Sequence, residues 1–105
     1  MSDLDKLFAT IASRKGADPS QSYTAKLLAG SVEKCAKKFG EEATEAVIAA
    51  IQKDKTELAK ESADVLYHLA VLWAASGITP EDVYAVLKSR ESQSGLEEKA
   101  SRPKG

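Results

Sequence analysis

From Val32 to Ile51 apolar residues recur every three or four positions, at Val32, Cys35, Ala36, Phe39, Ala43, Ala46, Val47, Ala50 and Ile51. A stripe of period 3.6 over that length specifies a long amphipathic helix. Beyond it, Val65 to Ala75 is apolar on nearly every face, with His68 inside the run. A helix of that kind must be covered on several sides. No segment alternates with period 2 between turn residues, so nothing supports a sheet and the class is all-α.

The other segments fit between these two. Leu4, Leu7, Phe8, Ile11 and Ala12 mark a first helix from about Asp3 to Lys15, opened by Ser2 with Asp5 as capping acid and stopped by Gly16. Asp18-Pro19-Ser20 reads as a turn, after which Ser22 caps a short helix through Leu28 that ends at Gly30. Ser31 caps the long third helix, which should end near Lys53. Asp54 with Glu57 opens the fourth, and Gly77 closes it. Thr79-Pro80 opens a fifth, with proline in the first helical position, fading near Arg90. The expectation is a single all-α domain over residues 1–91, an antiparallel bundle of four to five helices, with a polar tail over 92–105. So short a chain has few elements with which to cover the fourth helix. A homodimer sharing the third and fourth helices is therefore expected to complete the core.

Charge and cysteine usage narrow the setting. Fifteen Lys+Arg against sixteen Asp+Glu leave a net charge of -1, which excludes a surface built wholly as a footprint for nucleic acid or lipid. The apolar run falls far short of the roughly 20 residues that span a bilayer. Cys35 is the sole cysteine and has no internal disulfide partner, and Met1-Ser2-Asp3 lacks the basic, then apolar, run of a secretory signal. A cytoplasmic location is expected.

Chemistry enters with the acids. The third helix carries Glu41-Glu42-Ala43-Thr44-Glu45 and the fourth Glu61-Ser62-Ala63-Asp64. In an antiparallel hairpin centred near Lys53, Glu42 lies level with Asp64 and Glu45 with Glu61. Four carboxylates then face one small volume beside the apolar stripe, flanked by Ala43, Ala46, Ala63 and Leu66. Like charges held together in partial burial repel unless cations fill the space. Oxygen donors on two rigid helices suit Mg²⁺ or Mn²⁺. Taken singly, each pair of acids reads as a solvated helix face; together, the matching heights and apolar flanks favour metal. A di-iron centre of the bundle type wants two Glu-x-x-His motifs, and this chain has one His.

Around the acids stand further candidates. Lys34, Lys37 and Lys38 precede them and, with Arg14, Lys15 and Lys26, offer positive charge for a polyphosphate. Lys37/Glu41 and Lys38/Glu42 are also readable as i,i+4 ion pairs, in the less favourable order. His68 is either a core histidine or a group that reaches substrate. Gly40, inside the third helix, suggests close approach of a ligand or helix, or else a tolerated defect.

Three segments together carry a resemblance: Ser22-Tyr23-Thr24-Ala25-Lys26-Leu27-Leu28, then Lys38-Phe39-Gly40-Glu41-Glu42-Ala43-Thr44-Glu45, then Glu61-Ser62-Ala63-Asp64-Val65-Leu66-Tyr67-His68-Leu69. From the first helix to Arg90 the chain resembles the phosphoribosyl-ATP pyrophosphohydrolases of histidine biosynthesis. The acidic motifs alone indicate the wider all-α, MazG-like nucleoside triphosphate pyrophosphohydrolase superfamily; Ser22-Tyr23-Thr24 and Tyr67-His68 narrow it. The resemblance implies Mg²⁺ on the acids matching Glu42, Glu45, Glu61 and Asp64, a homodimer, and cleavage of phosphoribosyl-ATP to phosphoribosyl-AMP and pyrophosphate. Within it, Glu41 is the candidate to orient or deprotonate the attacking water. Arg14, Ser22, Tyr23, Lys26, Lys38 and His68 are candidates for holding substrate, with Ser22, Tyr23 and Lys26 at the ribosyl-phosphate end. Lys99 and Arg102 in the tail are further candidates for bound phosphate. Two rivals stay open: a house-cleaning nucleoside triphosphate pyrophosphohydrolase with the same metal site, and a non-catalytic helical dimerisation module.

Overall fold

The computed structural model describes residues 2–91; the expected tail over 92–105, with Lys99 and Arg102, lies outside them. Five helices follow one another: α1 Asp3–Ser13, α2 Tyr23–Ala29, α3 Val32–Ile51, α4 Lys55–Ser76 and α5 Pro80–Glu91, with no strand among the described residues. Side chains set most of the starts. Ser22 Oγ accepts from the Ala25 N–H at 3.1 Å, Ser31 Oγ from Lys34 at 3.2 Å, and Asp54 Oδ1 from Glu57 at 3.0 Å. Each such cap is worth about 1 kcal/mol. Ser2 and Asp5 form the reciprocal capping box of α1. Thr79 and Asp82 exchange the equivalent pair of bonds ahead of α5. Gly77, at φ 75°, closes α4 in the left-handed conformation. α1 stops earlier than expected: Arg14 already caps it, ahead of the left-handed Gly16 at φ 83°.

α3 and α4 make the most extensive helix contact, turning back on one another through Gln52, Lys53 and Asp54. α1 and α2 both pack on α4, and α5 packs on α1, where Tyr84 Oη donates to Asp5 Oδ1 at 3.0 Å. The buried centre is Ile11, Cys35, Ala70 and Val71, with Leu7, Phe8, Leu27, Leu28 and Tyr67 packed around it. It sits on the second half of α4, where α1, α2 and the start of α3 converge. The first half of α4 and the second half of α3 cover chiefly each other.

As a result the α3 stripe is only partly buried within one chain. Cys35 and Ala49 are enclosed, whereas Val47 is 56% exposed, Ile51 74%, and Leu66 on α4 48%. Gly40 is also open: a Cβ built there meets nothing within 4 Å among the described residues. The close approach considered for this glycine is therefore absent among the described residues. Gly40→Ala is expected to raise stability by about 0.5–1 kcal/mol, measured by urea unfolding. A loss instead would mean that a partner chain occupies that space.

Candidate active site

Glu42 and Glu45 project from α3 and Glu61 from α4, and one carboxylate oxygen of each lies within 4.8 Å of the others. The hairpin brings these three together as the register requires. Asp64, half-buried on α4, is not one of the three. It stands about 4.5 Å further along the helix and about 60° round from Glu61. Of the expected apolar flanks, Ala43 and Ala46 are half-buried, while Ala63 and Leu66 are exposed.

Glu61 is the exceptional member. It is 8% exposed, and its Oε2 is buried with no hydrogen-bond partner among the described residues. Burial first, and then the neighbouring carboxylates of Glu45, Glu57 and Glu42, push its pKa up to about 7. The missing donor is thus the carboxyl's own proton, or a cation. Glu57, the capping acid at the start of α4, also belongs to this group. It lies one turn before Glu61 and lines a 350 Å³ hollow with Glu45, Gln52 and Glu61. Its i,i+4 spacing to Glu61 is the signal that identifies it.

Because Glu61 holds its proton in the fold up to about pH 7 but near 4.5 in the unfolded chain, the folded state binds more protons between those values. Stability of the metal-free protein is therefore greatest in this respect below pH 4.5 and is lost as pH rises through 7. Melting curves in EDTA between pH 5 and 8 are expected to show this decline for the parent. Glu61→Gln should lack it, and parallel profiles would contradict the assignment.

Beside the acids, α2 and the first half of α3 enclose a cleft of about 720 Å³, lined by Tyr23, Lys26, Lys34, Lys37, Lys38 and Glu41 among others. Lys38 Nζ pairs with Glu41 at 3.4 Å, and that carboxylate holds the ammonium above the ordinary lysine range. The pair is i,i+3 rather than either i,i+4 pair considered from the sequence. Helical side chains lean toward the N-terminus, which brings Glu41 back over Lys38.

Other expected substrate groups are placed differently. Ser22 Oγ accepts the Ala25 N–H as the cap of α2, and its O–H remains available to donate. Arg14 is exposed at the end of α1 and does not line the cleft. His68 is buried, edge-on to Tyr67 at 5.0 Å and to Tyr23 at 6.4 Å between ring centres. It backs the Tyr23 ring that forms part of the cleft. Thr24 and Tyr67 share a hydroxyl hydrogen bond that fastens α2 to α4, so the cleft wall is anchored in the core.

The arrangement offers carboxylates fit for a divalent cation next to ammonium groups fit for phosphate. Comparison with known proteins agrees. The family model for phosphoribosyl-ATP pyrophosphohydrolase matches residues 4–91. A protein of Ruegeria pomeroyi named phosphoribosyl-ATP pyrophosphatase is 58% identical over 105 residues, covering 100% of both chains. One of the same name from Parvibaculum lavamentivorans is 60% identical over 101 residues, covering 96% of this chain and 93% of its own. A third, from Cereibacter sphaeroides, is 58% identical over 102 residues, covering 97% of this chain and 99% of its own. With residues 4–91 matched and its acids gathered as described, the chain belongs to the phosphoribosyl-ATP pyrophosphohydrolase family.

Proposed function

We propose that this hydrolase cleaves phosphoribosyl-ATP to phosphoribosyl-AMP and pyrophosphate, the second step of histidine biosynthesis, with Mg²⁺ held by Glu42, Glu45, Glu61 and Asp64. The observation that carries the reading is the buried, partnerless Glu61 Oε2 among further carboxylates. The donor set is all hard oxygen, which fits Mg²⁺ and also Mn²⁺. A bound divalent ion supplies charge neutralisation for the triphosphate.

The chain's own groups do the rest. Glu61, with its raised pKa, would lose its proton on holding a divalent ion. Lys38 stands one turn from Glu42 on α3 and offsets negative charge as it builds on the phosphate oxygens. Glu41, held by Lys38, is placed to orient or deprotonate the attacking water. Tyr23 and Lys26 present the opposite wall to the substrate. His68 acts from behind, by keeping the Tyr23 ring in place. Residues 1–91 form the working domain in this reading, and the cytoplasm is its setting. The exposed apolar residues Val47, Ile51 and Leu66 belong to a homodimer interface.

Phosphorus NMR on purified protein with Mg²⁺ and phosphoribosyl-ATP provides the test. Pyrophosphate and phosphoribosyl-AMP are expected in equal amounts. Orthophosphate as the product, or much faster consumption of dUTP or dCTP, would overturn the assignment and point to a house-cleaning enzyme.

A further inference from the structure

We infer that Thr24 and Tyr67 are a positioning pair: their shared hydrogen bond fixes the height and rotation of α2 against α4, and so sets where Tyr23 and Lys26 stand relative to the acids. The inference rests on the reading above only in taking the cleft beside α2 to receive the substrate.

α2 cannot place itself. It has seven residues, Tyr23–Ala29, whereas an isolated helix shorter than about 12–15 residues is marginal in water. Its position is set from outside. Ala25 is buried and Leu27 and Leu28 pack on the core, but apolar contact is non-directional and tolerates sliding and rotation. A hydrogen bond does not. Among the described residues two side-chain bonds tie α2 to other helices, one between the Thr24 and Tyr67 hydroxyls and one from Cys35 Sγ to the Leu27 carbonyl oxygen at 3.4 Å. A thiol is a weak donor, so the hydroxyl pair supplies the directional constraint.

Tyr67 also stands where such a constraint is useful. It follows Glu61 by six residues and Asp64 by three, about 9 Å and about 4.5 Å along one unbroken helix. α4 thus carries both its own acids and the anchor of the facing wall, and acts as the ruler between them. The next residue, His68, is buried edge-on to the rings of Tyr67 and Tyr23, so the backbone of α2 is held at Thr24 and the ring beside it at His68. Neither Thr24 nor Tyr67 lines the cleft. Their hydroxyls are part-buried and satisfy one another, so they act through α2 rather than on a ligand. The two segments that narrow the resemblance, with 43 residues between Thr24 and Tyr67, meet at this bond and at the Tyr23–His68 ring contact.

The test compares melting, steady-state kinetics with phosphoribosyl-ATP and amide hydrogen exchange. Thr24→Val or Tyr67→Phe alone strands a part-buried hydroxyl and should lower the melting temperature, whereas the two together remove both partners with little change of shape and should recover most of it. KM should not recover. It is expected to be raised about fivefold to tenfold in each single variant and no further in the double, the scale of one net hydrogen bond, with kcat within about twofold because the acids stay in place. Thr24→Ser keeps the hydroxyl and should keep the parent's KM. Without substrate, exchange over residues 23–29 should be several-fold faster in the double variant than in the parent. If a single variant fails to fold, the double variant and Thr24→Ser still make the comparison. A double variant with the parent's KM and exchange would reduce the pair to a satisfied polar contact and overturn the inference. KM effects that multiply in the double variant would overturn it too, since the hydroxyls would then act separately. A parent that leaves phosphoribosyl-ATP intact would sink the reading above, while the substrate-free exchange comparison judges the pair by itself.

Discussion

Glu45→Gln is expected to lower turnover of phosphoribosyl-ATP by about 10²–10³-fold, the scale set by losing one charged group at a phosphoryl-transfer site. In the absence of metal the same change should make the protein no less stable, and up to roughly 0.5–2 kcal/mol more so. Above pH 7, where Glu61 is ionised as well, three carboxylate oxygens within 4.8 Å repel pairwise, and an amide at position 45 removes the two repulsions that Glu45 takes part in with little change of shape. Metal should separate parent from variant in the other direction. A cation that binds only the folded state at 100 times its dissociation constant adds about 2.7 kcal/mol. The parent's melting temperature should therefore rise with Mg²⁺ and the variant's much less. Paired melts in EDTA and in Mg²⁺ decide the matter. Destabilisation of the metal-free variant by more than about 1 kcal/mol, with equal Mg²⁺ shifts in both proteins, would identify Glu45 as a structural group and remove the metal site.

Ile51→Asp is expected to leave a folded monomer. Ile51 is 74% exposed in one chain, so an aspartate there meets water and the fold is undisturbed. In a two-fold dimer the substitution appears twice, and each lost aliphatic burial is worth about 1.5–3 kcal/mol. The combined loss of about 3–6 kcal/mol corresponds to about 10²–10⁴ in the dimer dissociation constant. Light scattering should give twice 11.2 kDa for the parent and a single chain mass for the variant at micromolar concentration. A monomeric parent would leave the exposed face of Val47, Ile48 and Leu66 without an occupant.

Much of this was legible in the residues. The capping side chains Ser2, Ser22, Ser31 and Asp54 and the stop at Gly77 mark helix ends because each meets a backbone group that the helix leaves unpaired. The level placement of Glu45 and Glu61 follows from counting outward from the turn. What the residues do not carry is occupancy. The period of the α3 stripe says that Val47 and Ile51 share a face, not whether this chain covers it. Nor does it say that Arg14 lies away from the cleft. Glu57 was hidden because one carboxylate serves two descriptions, and its place at the start of α4 masks the i,i+4 spacing that sets it beside Glu61.

The α3–α4 connection has a consequence for how this chain can vary. Its residues Gln52, Lys53 and Asp54 are exposed and none is among the proposed metal or substrate groups, and Lys53 holds a left-handed φ of 58°. Surface connections of this sort ordinarily absorb insertions freely. One residue added here, however, would turn α4 by about 100° against α3 and slide it about 1.5 Å. Glu61 would swing away from Glu45, and the apolar partners of both helices would move with it. The length of the hairpin is in effect a gauge for the acids, and lineages descending from this chain can lengthen almost any other exposed bend before this one.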